Sequence, residues 1–530
     1  MNFKRLISKT LGVSLAAVLL SCSSNDTAPL SMSPIIPLPV SIVDADGAFK
    51  IGSTTKIAYS GNALNEVQKF SESIKSLTGL GLEIEEGATS DAIIFAIEAN
   101  ASSNAEGYKI DINTERVLIS APTEAGLYWG AQTFLQVIPA DGTDSGLNPK
   151  FAVSAGTIED YPEYEYRGMM LDVARHFFPV SEVKHLIDNI STYKINHLHL
   201  HLSDDQGWRI EIKSWPLLTE IGGSTQVGGG AGGFYTQEDY KEIVRYAAER
   251  HMVIVPEIDM PGHTNSALAA YGELNPGIKV PDDGAVPTER TQMGVAGQPT
   301  PLYTGRDVGF STLDTDKPVT YKFIEDVIRE ISEITPGPYF HIGGDESHVT
   351  AMEDYVPFIE KAQAIVAKYG KKSLGWDEVA HAELLPNTVV QYWAKAENAI
   401  MGIEQGAKVL ISPAVRTYLD MKYDSTTHIG LNWAAYIELD EAYNWDPTTL
   451  EEEIKREHIV GVEAPLWTET VVTRDDIEFL TFPRLAAVAE VAWTPIEKRN
   501  WEDFSKRIKY HGVLWENSGV NFYRSPKIDW

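Results

Sequence analysis

Residues 339–346 read Tyr339-Phe340-His341-Ile342-Gly343-Gly344-Asp345-Glu346. A short apolar run breaks at a Gly-Gly pair, two carboxylates follow, and helical periodicity resumes over 355–368 before the next apolar run at 372–375. That order is a strand, a turn, a helix and a second strand, the repeating unit of a parallel sheet. After Pro162 the same rhythm returns roughly every 40 residues, as βα units do. The other strand candidates are 167–173, 197–202, 252–258, 389–393, 408–412 and 459–464, with helical stretches at 180–193, 237–250 and 319–334 among them. Eight such units predict an α/β fold closed as a (β/α)8 TIM barrel over 158–530, with its functional face at the C-terminal ends of the strands. A doubly wound sheet accommodates the same alternation, but it gathers reactive side chains at one crevice rather than after many strands.

The strand ends carry Asp172 and Arg175, Asp204 and Asp205, Asp259 and His263, Asp345 and Glu346, Trp376 and Asp377, Trp393, Tyr418 and Asp420, then Trp467 and Glu469. All eight ends are polar or aromatic, which favours the barrel. A single acidic residue in such a place is ordinarily a helix cap or a solvated loop side chain; eight together form a site. Carboxylates, one Arg and several Trp suit a neutral, hydroxyl-rich ligand, whose C–H faces lie on aromatic rings while charged groups bind its hydroxyls. No Gly-rich phosphate loop with a Lys is present. At 343–344 the glycines free the backbone from strict alternation, so that Asp345 and Glu346 both face the pocket. Enclosure and a neighbouring negative charge would keep one of them protonated as a general acid while the other stays ionised.

Upstream, short β-like runs at 56–59, 92–97, 108–112 and 117–120 alternate with helical stretches at 64–77 and 124–138, which predicts a small α+β domain over 35–157. Leu127, Ala131, Phe134 and Leu135 fall at helical spacing and are read as core. Residues 1–21 begin with Lys4, Arg5 and Lys9 and continue in an apolar run from 11 to 20, the pattern of a secretory signal. The lone cysteine, Cys22, follows Leu19-Leu20-Ser21, which resembles the lipobox of bacterial lipoproteins. The polar segment 22–34 then reads as a flexible tether. The expectation is an exported protein, lipid-anchored through Cys22 in a bacterial cell envelope, at the outer membrane or in the periplasm.

Composition narrows the chemistry further. The 530 residues carry 44 Lys+Arg against 75 Asp+Glu, a net charge of −31, which repels a phosphate backbone and argues against nucleic acid as a partner. A single Cys excludes an internal disulfide, a Cys-based zinc cage and an iron–sulfur cluster. A metal would need His and carboxylates. His197, His199 and His201 alternate on one strand face and could bind one with Asp204 and His263, as in barrel metallohydrolases. A third alternative is a surface lipoprotein that captures glycans without turning them over.

The stretch 339–346 resembles the H-x-G-G-D-E motif of the family 20 glycoside hydrolases, the β-N-acetylhexosaminidases. Neighbouring motifs agree: Arg167-Gly168, Leu171-Asp172-Val173-Ala174-Arg175-His176, His199 through Arg209, Pro261-Gly262-His263, Gly375-Trp376-Asp377-Glu378, Tyr418-Leu419-Asp420 and Leu466-Trp467-Thr468-Glu469. The resemblance implies a retaining exo-enzyme that releases terminal N-acetyl-β-D-glucosamine or galactosamine, with the substrate's own acetamido group as nucleophile and no cofactor or metal. It implies that Glu346 is the acid and base, that Asp345 orients and polarises the acetamido N–H, and that Tyr418 donates to the acetamido oxygen. Trp376, Trp393 and Trp467 would box the acetamido methyl and sugar ring. Arg175, Asp420 and Glu469 would bind the 3-, 4- and 6-hydroxyls, while Asp204 and His263 would orient the acid.

Overall fold

The computed structural model describes residues 28–87, 89–139, 151–282 and 294–530. The signal segment 1–21, Cys22 and the start of the tether lie outside the described residues. The first unit is a seven-stranded sheet made of β1 (Ser41–Ile51), β2 (Lys56–Ser60), β3 (Glu83–Glu86), β4 (Ala92–Ile97), β5 (Tyr108–Ile112), β6 (Arg116–Ala121) and β7 (Phe151–Asp160), in the order β1-β7-β5-β6-β4-β2-β3. Helices α1 (Leu64–Thr78) and α2 (Glu124–Val137) bury Val67, Phe70, Leu127 and Phe134 against Ile57, Ile93, Phe95 and Ile119 of the sheet. Thr123 caps α2 by accepting the Gly126 N–H at 3.2 Å, and Gly79, at φ 76°, closes α1 in the left-handed conformation that suits glycine.

Three of these strands are absent from the sequence reading. In β1 the register shifts between Asp44 and Ala48, where the polar run Asp44-Ala45-Asp46-Gly47 breaks the alternation. β3 is an acidic, exposed edge strand, of a kind that blunts further pairing. β7 alternates Phe151, Val153 and Ala155 inward, but its small residues give a weak period-2 signal.

The second unit is a closed barrel of eight parallel strands: β8 (Tyr166–Asp172), β9 (His197–His201), β12 (Val253–Glu257), β13 (Tyr339–His341), β14 (Lys372–Trp376), β15 (Val389–Tyr392), β16 (Lys408–Ile411) and β17 (Ile459–Leu466). A two-strand ribbon, β10 (Ser203–Asp204) and β11 (Gly207–Trp208), lies in the loop after β9. Closure sets β17 beside β8, with Gly461 opposite Tyr166 and Leu466 opposite Leu171, so the doubly wound alternative fails. Each strand falls within two residues of the run that predicts it. Helices α3 (Val180–Ser191), α4 (Gln237–Ala248), α5 (Asn265–Ala270), α6 (Pro318–Ile334), α7 (Met352–Lys368) and α8 (Ala396–Glu404) occupy the crossovers.

Tyr166, Val255, Leu374, Val389 and Leu410 make a small apolar cluster inside the barrel. Polar side chains from several of the same strands, including His199, Glu257, Gln391 and Glu463, touch one another in the interior. The sheet and the barrel are joined by buried ion pairs. Arg167 Nη2 lies 2.8 Å from Glu106 Oε1, and Lys194 Nζ lies 3.2 Å from Asp160 Oδ2. Trp493 Nε1 donates to the same Asp160 carboxylate at 3.0 Å. Among the described residues no helix is long and apolar enough to cross a membrane.

Candidate active site

β13 ends at His341, and the chain then turns through Gly343 at φ 66° and Gly344 at φ 102°. A Cβ on Gly343 would stand 1.8 Å from Asp259 Oδ1, and the Gly344 N–H donates to that same oxygen at 3.0 Å. The turn therefore lies directly on the end of β12, where only glycine fits. Glu346 follows at φ 43°, a left-handed conformation that costs a residue with a Cβ about 1–2 kcal/mol. The result is the one the glycines predict: Asp345 and Glu346 face the same imidazole, with His263 Nε2 3.7 Å from Asp345 Oδ2 and 3.6 Å from Glu346 Oε2.

Their electrostatics divide unequally. Burial pushes the Asp345 carboxyl well above the ordinary range, and the charges of Asp259 and Glu346 push the same way against the opposing His263. Burial also pushes Glu346 upward, but the cationic His263 facing it and the charge of Arg175 overcome that and hold it below its usual value. The unliganded surroundings thus favour a proton on Asp345 over one on Glu346, the reverse of what the acid role of Glu346 would suggest. Depth explains it: Asp345 is 6% exposed and adjoins Asp259, itself pushed up to about 8 chiefly by burial, while Glu346 is nearer solvent.

Behind His263 stands Asp204. Its Oδ1 lies 3.1 Å from His263 Nδ1, and its Oδ2 lies 2.8 Å from both Arg175 Nη2 and His201 Nε2. Arg175 spreads over the Trp467 ring, 4.8 Å from its centroid. Arg175 Nε and Nη1, both carboxylate oxygens of Asp420, Glu469 Oε2, Asp345 Oδ1 and His263 Nε2 are buried and have no hydrogen-bond partner within the protein. A buried polar atom left unpaired costs about 1–3 kcal/mol, so this concentration marks a surface built to receive a ligand rich in hydrogen-bonding groups. A cavity of about 480 Å³ is lined by Glu469 together with His176, Gly228, Arg306, His428 and Thr470 among others.

The aromatic residues pack together beside these polar groups, Trp467 touching both sets. Tyr418 stacks on Trp393 with centroids 6.3 Å apart and lies 6.4 Å from Trp467, which is 5.7 Å from Trp376. Asp377 fixes the Trp393 loop: its Oδ2 accepts backbone N–H groups of Trp393 at 3.2 Å and of Ala394 and Lys395 at 3.0 Å. All the residues singled out after the strand ends are thereby brought to one place. Two that the sequence reading passed over join them. Trp433 sits 6.0 Å from both Trp393 and Tyr418 yet is 56% exposed, an aromatic platform at the mouth. Glu378 accepts the Trp393 Nε1–H at 3.0 Å, and burial together with Asp377 pushes its carboxyl up to about 8. A signal for Glu378 was present, since it completes the quoted Gly-Trp-Asp-Glu run; Trp433 lies in a loop with no periodicity to single it out.

Among the described residues the three histidines of β9 do not gather around one point: His199 groups with Glu257 and His341, and His201 with Glu257 and Asp259. His197 stacks on Tyr166 at 3.8 Å, sets Nδ1 2.7 Å from Asn196 Oδ1, and is driven by burial down to about 3. His199 stands between Glu463 and Glu257, 3.0 Å from each, and His201 between Glu257 at 2.5 Å and Asp204 at 2.8 Å. Burial opposes their charge, but the flanking carboxylates overcome it and raise His199 to about 9 and His201 to about 10. Flanking carboxylates thus occupy both nitrogens of each of these two imidazoles, which gives His199 and His201 an ion-paired place in the barrel interior.

Comparison with known proteins agrees with this geometry. The profile described as Glycosyl hydrolase family 20, catalytic domain, matches residues 164–356 and 347–496, and that of Glycosyl hydrolase family 20, domain 2, matches residues 32–161. A beta-N-acetylhexosaminidase of Cellulomonas fimi is 40% identical over 506 residues, covering 94% of this chain and 97% of its own. The solved N-acetyl-beta-hexosaminidase of Streptomyces plicatus, in complex with Thio-NAglucal, superposes with a TM-score of 0.87 at 44% identity, over 95% of this chain and 99% of that one. The GH20 beta-N-acetylhexosaminidase of Streptomyces coelicolor gives a TM-score of 0.87 at 43% identity, over 95% of this chain and all, 100%, of that one.

Proposed function

The chain belongs to glycosyl hydrolase family 20, and from that premise we propose how its residues divide the work of a β-N-acetylhexosaminidase. The enzyme removes terminal, non-reducing N-acetylhexosamine from a glycan with retention, using the substrate's acetamido group as nucleophile. Arg175, Asp420 and Glu469 take the sugar's hydroxyls with the hydrogen-bonding capacity that the protein leaves unused. Tyr418 donates to the acetamido oxygen and the tryptophans enclose its methyl group, which places that oxygen in line with the anomeric carbon. Glu346 protonates the glycosidic oxygen as the acetamido oxygen attacks and the C–O bond breaks. Asp345, as an anion, stabilises the positive charge spreading through the oxazolinium ring. Glu346, now ionised, takes a proton from water, which attacks the anomeric carbon and restores the acetamido group.

This cycle requires a proton on Glu346 and a charge on Asp345, against the direction in which the unliganded surroundings push the two. We propose that ligand entry resolves it: the amide N–H supplies the Asp345 carboxylate with a partner, the leaving sugar shields Glu346 from water, and one proton passes from Asp345 to Glu346 through His263, which faces both.

The observation that carries the reading is the pair of carboxylates on one imidazole, beside a buried set of unpaired hydroxyl-binding atoms. Measuring inhibition by a thiazoline analogue of the oxazolinium ring tests it. The expected Ki lies at least about 100-fold below that of free N-acetylglucosamine, as for a transition-state-like ligand; equal binding of the two would overturn internal attack. We also propose that the mature protein is a bacterial lipoprotein anchored through Cys22, supported by the basic start, the apolar run and the Leu-Ser-Cys junction. Expressed with its leader in a bacterial host, Cys22→Ser is expected to move the enzyme from the membrane to the soluble fraction with turnover unchanged. Undiminished membrane association would refute the anchor.

A further inference from the structure

We propose that Glu257, a fully buried carboxylate at the end of β12, is the positioning residue that couples the acetamido wall to the proton-transfer group. Its two oxygens are surrounded by four nitrogen atoms: His201 Nδ1 at 2.5 Å and His199 Nε2 at 3.0 Å from Oε2, and Trp376 Nε1 at 2.8 Å and His341 Nδ1 at 3.0 Å from Oε1. Through Trp376 it fixes one wall of the pocket for the acetamido methyl. Through His201 it reaches Asp204, which divides its oxygens between His263 and Arg175. His263 in turn faces Asp345 and Glu346. One anion touching neither substrate nor reacting atoms therefore contacts the apolar wall directly and stands three contacts from the hydroxyl-binding arginine and four from the acid and the amide-orienting carboxylate. A second carboxylate, Glu463, braces the far side of His199 and is itself occupied by Tyr166 Oη at 2.6 Å and Gln391 Nε2 at 2.8 Å, so it cannot take over this role.

Charge is the working property. The anion keeps His201 cationic, and a cationic His201 donates at both ends, which orients Asp204 and leaves it ionised to support His263. Gln at 257 replaces one acceptor oxygen by an NH₂ group that meets another donor, and it removes the charge. His201 then loses its second proton, Asp204 a cationic partner, and Glu346 part of the field that holds it ionised.

The inference rests on the roles proposed for Glu346 and Trp376, and the experiment separates the two levels. For wild type, Glu257→Gln and Glu346→Gln, kcat/KM is followed against pH and against substrates whose N-acyl group is acetyl or the bulkier propionyl. Glu257→Gln is expected to move the acidic limb of the profile upward by about one pH unit and to relax the preference for acetyl by about 10-fold, the lower end of the discrimination a pocket gives one methylene. A wholly structural role would lower the melting temperature and leave both readouts at their wild-type values; a folded Glu257→Gln behaving so overturns the proposal. If Glu257→Gln does not accumulate as a folded protein, His201→Gln carries the test: an upward shift of the acidic limb with acyl preference retained upholds the coupling, and an unshifted limb overturns it. Should Glu346→Gln lose activity equally on good and poor leaving groups, the assignment of the acid fails, independently of Glu257.

Discussion

At the scale of single residues, Asp345 and Glu346 are adjacent in sequence and separated by environment. Both lie within 3.7 Å of His263 Nε2, yet burial beside Asp259 raises one and the imidazolium lowers the other. A general acid matters in proportion to the basicity of the group it protonates, which gives Glu346 a signature that other damage to the site does not mimic. Glu346→Gln is expected to lower kcat/KM on a disaccharide by about 10²–10⁴-fold, and on a dinitrophenyl glycoside, whose leaving group needs no proton, by less than about 10-fold. Steady-state kinetics on the two substrates checks this. Equal losses on both would mean that the side chain shapes the pocket rather than delivering a proton.

At the scale of elements, the turn after β13 does what no regular strand can, presenting two consecutive side chains to one site. Its geometry depends on Gly343, where an added methyl would meet the Asp259 carboxylate at 1.8 Å and the backbone stands at φ 66°. Gly343→Ala is therefore expected to cost at least about 2 kcal/mol, from overpacking and left-handed strain together, and to remove most of the activity. Denaturant melts and assays on the purified variant measure both; a wild-type midpoint with full turnover would show that the turn adapts. The Gly-Gly pair is legible in sequence because glycine announces freedom of φ, and the barrel strands are legible because parallel strands buried on both faces read as short apolar runs. What stays hidden is of two kinds. β1 and β3 carry polar residues where an edge or a bulge tolerates them, so alternation fails as a guide. Trp433 and the contacts of Glu257 and Glu463 depend on which loop or strand closes beside which, a property of three-dimensional neighbours that spacing along the chain does not encode. The three histidines of β9 illustrate the same limit: alternation correctly puts them on one face, but only their neighbours decide that His199 and His201, set between carboxylates, carry charge while His197, stacked on Tyr166, stays neutral.

At the scale of the whole molecule, a chain of net charge −31 folds around an interior that gathers protons. His199 and His201 are raised from 6.5 to about 9 and about 10, Asp259 from 3.8 to about 8, and Glu378 from 4.5 to about 8. Each binds its proton more tightly in the folded than in the unfolded chain. The contribution of the two histidines is complete below pH 6.5 and disappears as pH rises through 9 and 10; that of the two carboxyls is complete below about 4 and disappears as pH rises through 8. His197 and His511 act in the opposite sense. Burial lowers them from 6.5 to about 3 and about 4, so the unfolded chain takes up their protons first and stability falls as pH drops below 6.5. Below 6.5 the two groups of residues oppose each other, while above it these residues contribute only losses, opposed by Lys194, whose ammonium is lowered by burial. The melting temperature is thus expected to fall continuously from pH 7 to pH 10, by several kcal/mol of unfolding free energy in all, and unfolding at pH 8 is expected to release protons, which calorimetry in buffers of differing ionisation enthalpy counts directly. The loss should be felt by the entire chain, because the Arg167–Glu106 and Lys194–Asp160 pairs bury charge between the sheet and the barrel and couple their unfolding. Asp160→Asn, which leaves Lys194 buried without its partner, is expected to cost about 3–5 kcal/mol at neutral pH. A melting temperature that is flat or rising between pH 7 and pH 10 would contradict the proton-gathering interior, and with it the cationic state of His201 from which the ordering of Asp204 and His263 follows.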